Sequence, residues 1–292
     1  MQKGSIVIAA IIVYSLTSLI GGFFSIRLYN QMKGKEKARC IITTATMLPF
    51  PTVLVFGWVN TLAIKYGFAS AASLTTTIAI LLLYLLILLP LTFIGGMMAQ
   101  KYGSKDFGFP TRTSEVVRDI PAKKGIFWLL AMMRLSAGAI TFSSIYIEMY
   151  YIYKDMWGHT RIYEVSAILL LITFVIGAST TSCTVVVHMY YQLTKEDHRW
   201  WWKSLTCGGM IGLYIYVYGI WYWKYKTGMS GLFQASVYFG YTAVVSFAAF
   251  LMFGSVAFHA SLAFIKYMYS KVDVNEENIS TTPLLPLDQS DL

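Results

Sequence analysis

Seven long apolar runs constrain the fold of this chain more than any other feature of its sequence. Each approaches or exceeds the roughly 20 residues that a helix needs to cross the hydrocarbon core of a bilayer. The runs lie at 4–26, 41–63, 74–98, 126–152, 163–191, 207–223 and 236–266. They predict an all-α polytopic membrane protein with about seven transmembrane helices. Because only 13% of the residues are charged and 57% are apolar, a soluble multidomain enzyme is excluded.

The basic residues indicate how the chain is oriented in the membrane. Sixteen of the 23 Lys and Arg residues fall in loops on one predicted side, six fall on the other, and Arg134 lies inside a span. Loops rich in Lys and Arg face the cytosol, which predicts a lumenal or outside N-terminus and a cytosolic C-terminus. The net charge of +9 is explained by this topology, and no nucleic-acid partner is predicted. The polar tail over 272–292 contains prolines and no aromatic residue, so it is predicted to be disordered.

A series of short motifs occurs in a fixed order along the chain. They are SIRLYNQM at 25–32, PFP at 49–51, NTLAI at 60–64, PLTFIGG at 90–96, PTRT at 110–113, RDIP at 118–121, EDHRWWW at 196–202, YFGYT at 238–242 and KVD at 271–273. In this order and spacing the chain resembles the nonaspanins, the transmembrane 9 superfamily. The resemblance covers about residues 4–273 and the last seven of that family's nine transmembrane helices, which suggests the C-terminal portion of a larger plan.

The resemblance implies a function, a location and partners. It implies a non-enzymatic protein of Golgi or endosomal membranes that assists the transport, sorting or surface localisation of other membrane proteins. It would do so by recognising their glycine-rich transmembrane segments. Lys271 and Asp273 resemble the family's cytosolic sorting motif for the COPI coat. That motif normally ends the chain, whereas nineteen residues follow it in this sequence.

Two charged residues inside one predicted span, Arg134 and Glu148, are candidates for a polar groove that receives polar groups of a client segment. Fourteen residues separate them, about 21 Å along a continuous helix. On such a helix they lie within roughly 40° of one face, so they predict one polar stripe. The alternative is that both side chains snorkel to the headgroup layers.

Small residues mark candidate contacts between helices. Gly95, Gly96, Gly208 and Gly212 allow backbones to approach closely where lipid supplies no hydrophobic drive for association. They are predicted to pack helices within the chain, and the alternative is that some of them dock client helices. Prolines inside spans are predicted to kink helices and to free backbone carbonyls that neighbours must satisfy.

Three consecutive tryptophans, Trp200, Trp201 and Trp202, stand beside charged residues at the end of a span. Indole side chains prefer the headgroup layer, so these residues are predicted to be interfacial anchors.

No cofactor, metal site or catalytic motif is predicted. The cysteines, Cys40, Cys183 and Cys207, are too few and scattered for a disulfide framework or a zinc site. Cys183 and His188 lack the spacing of a metal motif.

A secondary transporter, or an ion- or metal-handling membrane protein, stays open as the alternative function because broken helices and intramembrane charges also line transport paths. A seven-helix receptor is less favoured, since its characteristic triplet and Asn-Pro motif are missing.

Overall fold

The computed structural model describes residues 3–67, 73–102, 124–157, 163–195, 197–229 and 231–281, and these form helices without any β-strand. A π-helical turn at Tyr84–Leu88 joins two of the helices. The helices are α1 (Lys3–Gln31), α2 (Lys37–Thr46), α3 (Pro49–Lys65), α4 (Leu74–Leu83), α5 (Leu89–Tyr102), α6 (Lys124–Ser144), α7 (Tyr146–Trp157), α8 (Tyr163–Thr194), α9 (Trp200–Lys226) and α10 (Leu232–Thr281).

Five helical stretches among the described residues are long and apolar enough to cross a membrane, and the bent pair of α6 and α7 makes a sixth. The five stretches are Lys37–Lys65, Thr75–Lys101, Ile168–Thr194, Trp200–Lys226 and Leu232–Ser270. Large apolar side chains on them are exposed, such as Leu86 at 70% and Trp202 at 69%. Such exposure is costly in water and favourable in lipid. The predicted all-α polytopic membrane fold is confirmed.

The chain divides into two compact units. Helices α1 to α5 and the beginning of α10, up to Val244, form unit 1. Helices α6 to α9 and the remainder of α10 form unit 2. The predicted span 4–26 lies within α1, and the predicted span 207–223 is the inner part of a longer α9.

The predicted span 126–152 is not one helix, because the chain bends by 67° between α6 and α7. Ser143 and Ser144, just before the break, donate their hydroxyls to the carbonyls of Ile140 and Thr141. Serine hydroxyls that bond back to the preceding turn compete with the helical pattern and bend helices. The next N–H, that of Ile145, bonds to Phe142 three residues back, which tightens the turn.

The predicted disorder of 272–292 needs correction in its first part, because α10 continues through Thr281. No proline or glycine interrupts 272–281, so nothing in the backbone stops the helix there. The helix ends at Thr281. The next position directly precedes Pro283, and a residue before proline disfavours the α conformation. Residues 282–292 lie outside the described residues.

Candidate functional site

A groove of about 200 Å³ lies in unit 1 and combines apolar walls with hydroxyl groups. We call it the α1 groove. It is lined by Tyr14, Thr17, Ser18 and Gly21 of α1, by Thr44, Ala45 and Leu48 at and after the end of α2, and by Leu88 and Thr92 beside the π turn.

One side of the α1 groove is built where α2 ends and α3 begins. Pro49 has no N–H, so it cannot donate to the carbonyl of Ala45 four residues earlier. The hydroxyl of Tyr84 donates to that carbonyl at 3.3 Å. The prolines were predicted to free carbonyls that neighbours must satisfy, and Tyr84 provides this partner across 39 residues of sequence.

A second proline accounts for the π turn on the other side of the groove. Pro90 also lacks an N–H, and its ring would clash with the carbonyl four residues earlier. The N–H of Leu89 bonds to the carbonyl of Tyr84, five residues back. This wider turn relieves the clash before Pro90, and its last residue, Leu88, lines the groove.

The serine and threonine hydroxyl groups that line the α1 groove donate within their own helices. Thr17 donates to the carbonyl of Tyr14, Ser18 to that of Ser15, and Thr92 to that of Leu88. Their donors are therefore satisfied inside lipid, while each oxygen keeps a lone pair that can accept a weak Cα–H hydrogen bond. Such a wall is suited to a neighbouring helix whose backbone comes close.

Adjacent glycines of α1 have different environments. A Cβ built on Gly22 would collide with the backbone of Thr92, and one on Gly95 would collide with the backbone of Leu19. These two glycines let α1 and α5 cross in contact. A Cβ on Gly21, which lines the groove, would meet nothing within 4 Å. Gly21 is thus a partly exposed glycine with open space where a side chain would stand.

The remaining candidate glycines pack within the chain. A Cβ on Gly96 would come within 2.8 Å of Ile41. A Cβ on Gly208 would lie 2.6 Å from the carbonyl oxygen of Phe253, and one on Gly212 would lie 2.5 Å from that of Ser246. Because these contacts fill the space beside the glycines, none of the three offers a surface to a client helix. Sequence spacing alone did not identify Gly21, whose environment depends on which neighbours α1 has.

Arg134 and Glu148 do not form the predicted polar stripe. The 67° bend lies between them, so the geometry of a continuous helix does not apply. Arg134 directs its Nε to the carbonyl of Leu130, one turn earlier at 3.2 Å. Glu148 stands in the first turn of α7, where its negative charge is favourable beside the positive end of the helix dipole. One carboxylate oxygen of Glu148 is buried without a hydrogen-bond partner among the described residues.

Three helices bring basic side chains to one end of unit 2. Ala137, Val185, Met189 and Cys207 belong to one buried cluster. Arg134 lies one turn from Ala137, His188 lies between Val185 and Met189, and Lys203 lies one turn from Cys207. Arg134, His188 and Lys203 therefore lie at the same end of this cluster, each on a different helix. We call Arg134, His188 and Lys203 the basic triad.

The loop between α8 and α9 closes the same end of unit 2. Asp197 is buried, forms an ion pair with Lys203, and accepts the N–H of Arg199. Gln192 donates its side-chain amide to the carbonyl of Asp197 at 3.2 Å. Deeper in the bundle, Ser204 bonds to Ser261 at 2.6 Å.

The three tryptophans begin α9. Trp200 stacks on Phe258 at 5.3 Å between ring centroids, whereas Trp201 and Trp202 are exposed. The exposed pair fits the predicted interfacial anchor.

The remaining candidates form no further site. Cys183 is exposed and His188 is buried, so they lie on different faces of α8. In the described parts of the chain, no three His, Cys, Asp or Glu side chains come together as metal ligands do. Lys271 and Asp273 lie in α10, but their side chains fall outside the described residues.

The helices and their lipid-compatible surfaces define a class, that of polytopic α-helical membrane proteins. Within this class, residues 1–232 match the family described as Endomembrane protein 70. The chain is 38% identical over 271 residues to "Transmembrane 9 superfamily member 4" of Arabidopsis thaliana, an alignment that covers 93% of this chain and 45% of that relative. It is 36% identical over 268 residues to "Transmembrane 9 superfamily member 1" of Bos taurus, covering 92% and 44% of the two chains.

The chain therefore belongs to the Endomembrane protein 70 family, the nonaspanins of the transmembrane 9 superfamily, and the predicted resemblance is confirmed. It spans somewhat less than half the length of the relatives it matches. No solved structure matches the chain.

Proposed function

We propose that this protein is a non-enzymatic factor that recognises transmembrane segments of other membrane proteins and assists their transport, sorting or surface localisation. The observation that carries the proposal is Gly21, a glycine left uncovered on the wall of a hydroxyl-lined groove in a membrane-spanning chain. Golgi or endosomal residence and an interaction of Lys271 and Asp273 with the COPI coat are part of the same proposal, and they rest on the family resemblance.

The chemistry of the α1 groove favours a helix that carries small residues. Helix association in lipid depends on van der Waals contact and on weak polar contacts between backbones that approach closely. Gly21 and Thr17 are four residues apart, so they lie on one face of α1. A client helix with glycine at the facing positions brings its Cα–H groups to the oxygens of Thr17, Ser18 and Thr92, whereas a helix with leucine there is held away.

The test is binding of a single-span probe whose transmembrane helix carries glycine at every fourth position. We expect Gly21→Leu to reduce co-purification of this probe from mixed vesicles by about three- to fifteen-fold, which corresponds to the usual strength of interhelical contacts in membranes. The matched control is Gly57→Leu, because Gly57 also has nothing within 4 Å but does not line the groove.

Two results would contradict the proposal. One is equal binding of the glycine probe and a probe with leucine at the same positions. The other is an equal loss of binding in the Gly21→Leu and Gly57→Leu variants, which would indicate a general effect on the membrane surface. The unfolding temperature of Gly21→Leu in detergent should equal that of the wild-type chain. A loss of binding then does not result from a loss of fold.

Secondary transport is the second candidate function, and one observation favours it. Two interrupted helices, at Pro49 and at the π turn, flank the same groove, and interrupted helices around a cavity are common at transporter substrate sites. Ion- or proton-coupled uptake into vesicles that contain the purified protein, abolished by Gly21→Leu, would support transport.

A further inference from the structure

The connection between α1 and α2 concentrates positive charge at one end of unit 1. Positions 27–39 hold five basic residues and one acidic residue, Glu36. All five basic side chains are exposed, and we call them the basic turn: Arg27, Lys33, Lys35, Lys37 and Arg39. The segment 103–123, which follows α5 and lies outside the described residues, carries four basic and three acidic residues. Its charge therefore adds to that of the basic turn.

Contacts within the chain fix the shape of this connection. The N–H of Gly34 bonds to the carbonyl of Tyr29. A Cβ built on Gly34 would collide with the ring of Tyr29, so the close approach requires a glycine. The hydroxyl of Tyr29 accepts the N–H of Glu36 at 3.2 Å. The sequence motif at 25–32 thus supplies the tyrosine around which the backbone of the basic turn is held.

Contacts between α1 and α2 place the two arginines at one level. The hydroxyl of Ser25 in α1 lies 3.3 Å from the sulfur of Cys40 in α2. Arg27 and Arg39 each lie within two residues of this contact. Each arginine is three residues from an exposed apolar side chain on the same face of its own helix. Those side chains are Phe24, 58% exposed, and Ile42, 54% exposed. A change from exposed apolar to basic residues within one helical turn marks the headgroup layer.

The lysines lie further out than the arginines. Helix α1 ends at Gln31 and α2 begins at Lys37, so Lys33 and Lys35 stand between the two helix ends. Arg27 is four residues inside the end of α1, which is about 6 Å at the rise of an α-helix. The basic turn therefore presents positive charge at two depths.

We propose that the basic turn binds a phosphoinositide in the adjoining leaflet, which is the predicted cytosolic one. Such a lipid carries a phosphodiester beside its glycerol and a phosphomonoester further out on its inositol ring, so its two phosphates match the two depths. The guanidinium groups of Arg27 and Arg39 donate to the inner phosphate. Lys35 and Lys37 attract the outer one, because a phosphomonoester carries close to two negative charges.

Glu36 competes with the lipid for one of these cations. It pairs with Arg39 at 2.8 Å, but both side chains are largely exposed, so the ion pair is weak and a phosphate can replace it. The basic turn shares no residue with the α1 groove, so lipid binding here is independent of the proposed function.

The probe is phosphatidylinositol monophosphate, compared with phosphatidylinositol of the same acyl chains, which lacks the outer phosphate. Retention of each lipid by the purified full chain is measured by native mass spectrometry in mixed micelles. We expect the monophosphate to be retained in preference. Lys35→Gln should lower its retention by about five-fold, as expected for the loss of one cation at an anionic lipid, and leave that of phosphatidylinositol unchanged. Arg27→Gln should lower the retention of both lipids, and Glu36→Gln should raise it.

The matched control is Lys65→Gln, because Lys65 is an exposed lysine of unit 1 at the end of α3, on the opposite predicted side of the membrane. The proposal is overturned if the two lipids are retained equally, or if Lys35→Gln and Lys65→Gln reduce retention alike. It is also overturned if the free inositol bisphosphate headgroup, at the same concentration as the lipid, displaces it, because the ligand would then be a soluble anion. Equal Tm values of the variants and the wild-type chain without lipid check the fold.

The tail of the chain is the other possible occupant of the basic turn, since 272–292 carries five acidic residues. Replacing these carboxylates by amides at positions 273, 276, 277, 288 and 291 should leave retention of the monophosphate unchanged. A rise of several-fold would mean that the tail occupies the basic turn, and it would overturn the proposal.

Discussion

Tyr84 satisfies a carbonyl that Pro49 leaves without its helical donor, and this contact can be tested by a double-mutant cycle. Tyr84→Phe removes only the hydroxyl that bonds to Ala45 at 3.3 Å. A neutral hydrogen bond contributes about 0.5–1.5 kcal/mol, and interhelical bonds in membranes average about 0.6 kcal/mol. Because 3.3 Å is long for an O–H donor, we expect Tyr84→Phe to lower the free energy of unfolding by about 0.5–1 kcal/mol.

The cycle uses Pro49→Ala, which restores the missing N–H. The residues between α2 and α3 keep helical backbone angles, since Met47 has φ −54° and ψ −44° and Leu48 has φ −92° and ψ −44°. The new N–H therefore points to the carbonyl of Ala45. In this background Tyr84→Phe should cost little, so the two substitutions should be coupled by about 0.5 kcal/mol or more.

The assay is reversible unfolding in mixed micelles of increasing dodecyl sulfate content, followed by circular dichroism. Pro51→Ala is the matched control. It restores an N–H to a different carbonyl, that of Met47, so it should be additive with Tyr84→Phe. A coupling below about 0.3 kcal/mol between positions 49 and 84, or an equal coupling between positions 51 and 84, would refute the assignment of Tyr84 as the partner of the freed carbonyl.

Two further predictions concern the packing of unit 2. Gly208→Ala should destabilise the fold by about 1–3 kcal/mol, because its methyl group would overlap Ala257 and the backbone of Phe253. Gly57→Ala, which meets open space, should be neutral or slightly stabilising in the same unfolding assay. Asp197→Asn should cost about 1.5 kcal/mol, at the low end for a charged pair because the side chain of Lys203 is 26% exposed.

Apolar length and the order of motifs predict the fold class and the family, because both follow from local sequence. The break at Ile145 was missed because it depends on two adjacent serines, which hydropathy treats as small and neutral. Their hydroxyls bond to Ile140 and Thr141 and bend the helix. That bend removes the basis for joining Arg134 and Glu148 in one stripe. The pair Ser143-Ser144 was the available signal.

The prolines and the charged residues show a second limit of sequence analysis. Pro49 identifies which carbonyl is freed, but the donor Tyr84 comes from a distant turn that exists because of Pro90. Likewise, the sequence shows Arg134 as an isolated intramembrane charge, and only helix packing places His188 and Lys203 at the same end of one buried cluster. Such neighbours are set by helix packing, which no local pattern contains.

The adjacent glycines of α1 show how one motif can serve the fold and a partner together. Successive residues of a helix point about 100° apart, so a Gly-Gly pair presents two different faces. Gly22 meets the backbone of Thr92 and is required for the contact between α1 and α5. Gly21 faces the α1 groove, where nothing in the described chain meets it. Lipid gives helices no hydrophobic reason to associate, so an uncovered glycine contributes nothing to the fold and costs helix propensity of about 1 kcal/mol relative to alanine. Gly57 of α3 also meets open space but lines no groove, whereas Gly21 lies on the hydroxyl-lined wall of the α1 groove. We therefore expect a client segment to bind at Gly21 rather than at Gly57 or at the glycines already buried between helices.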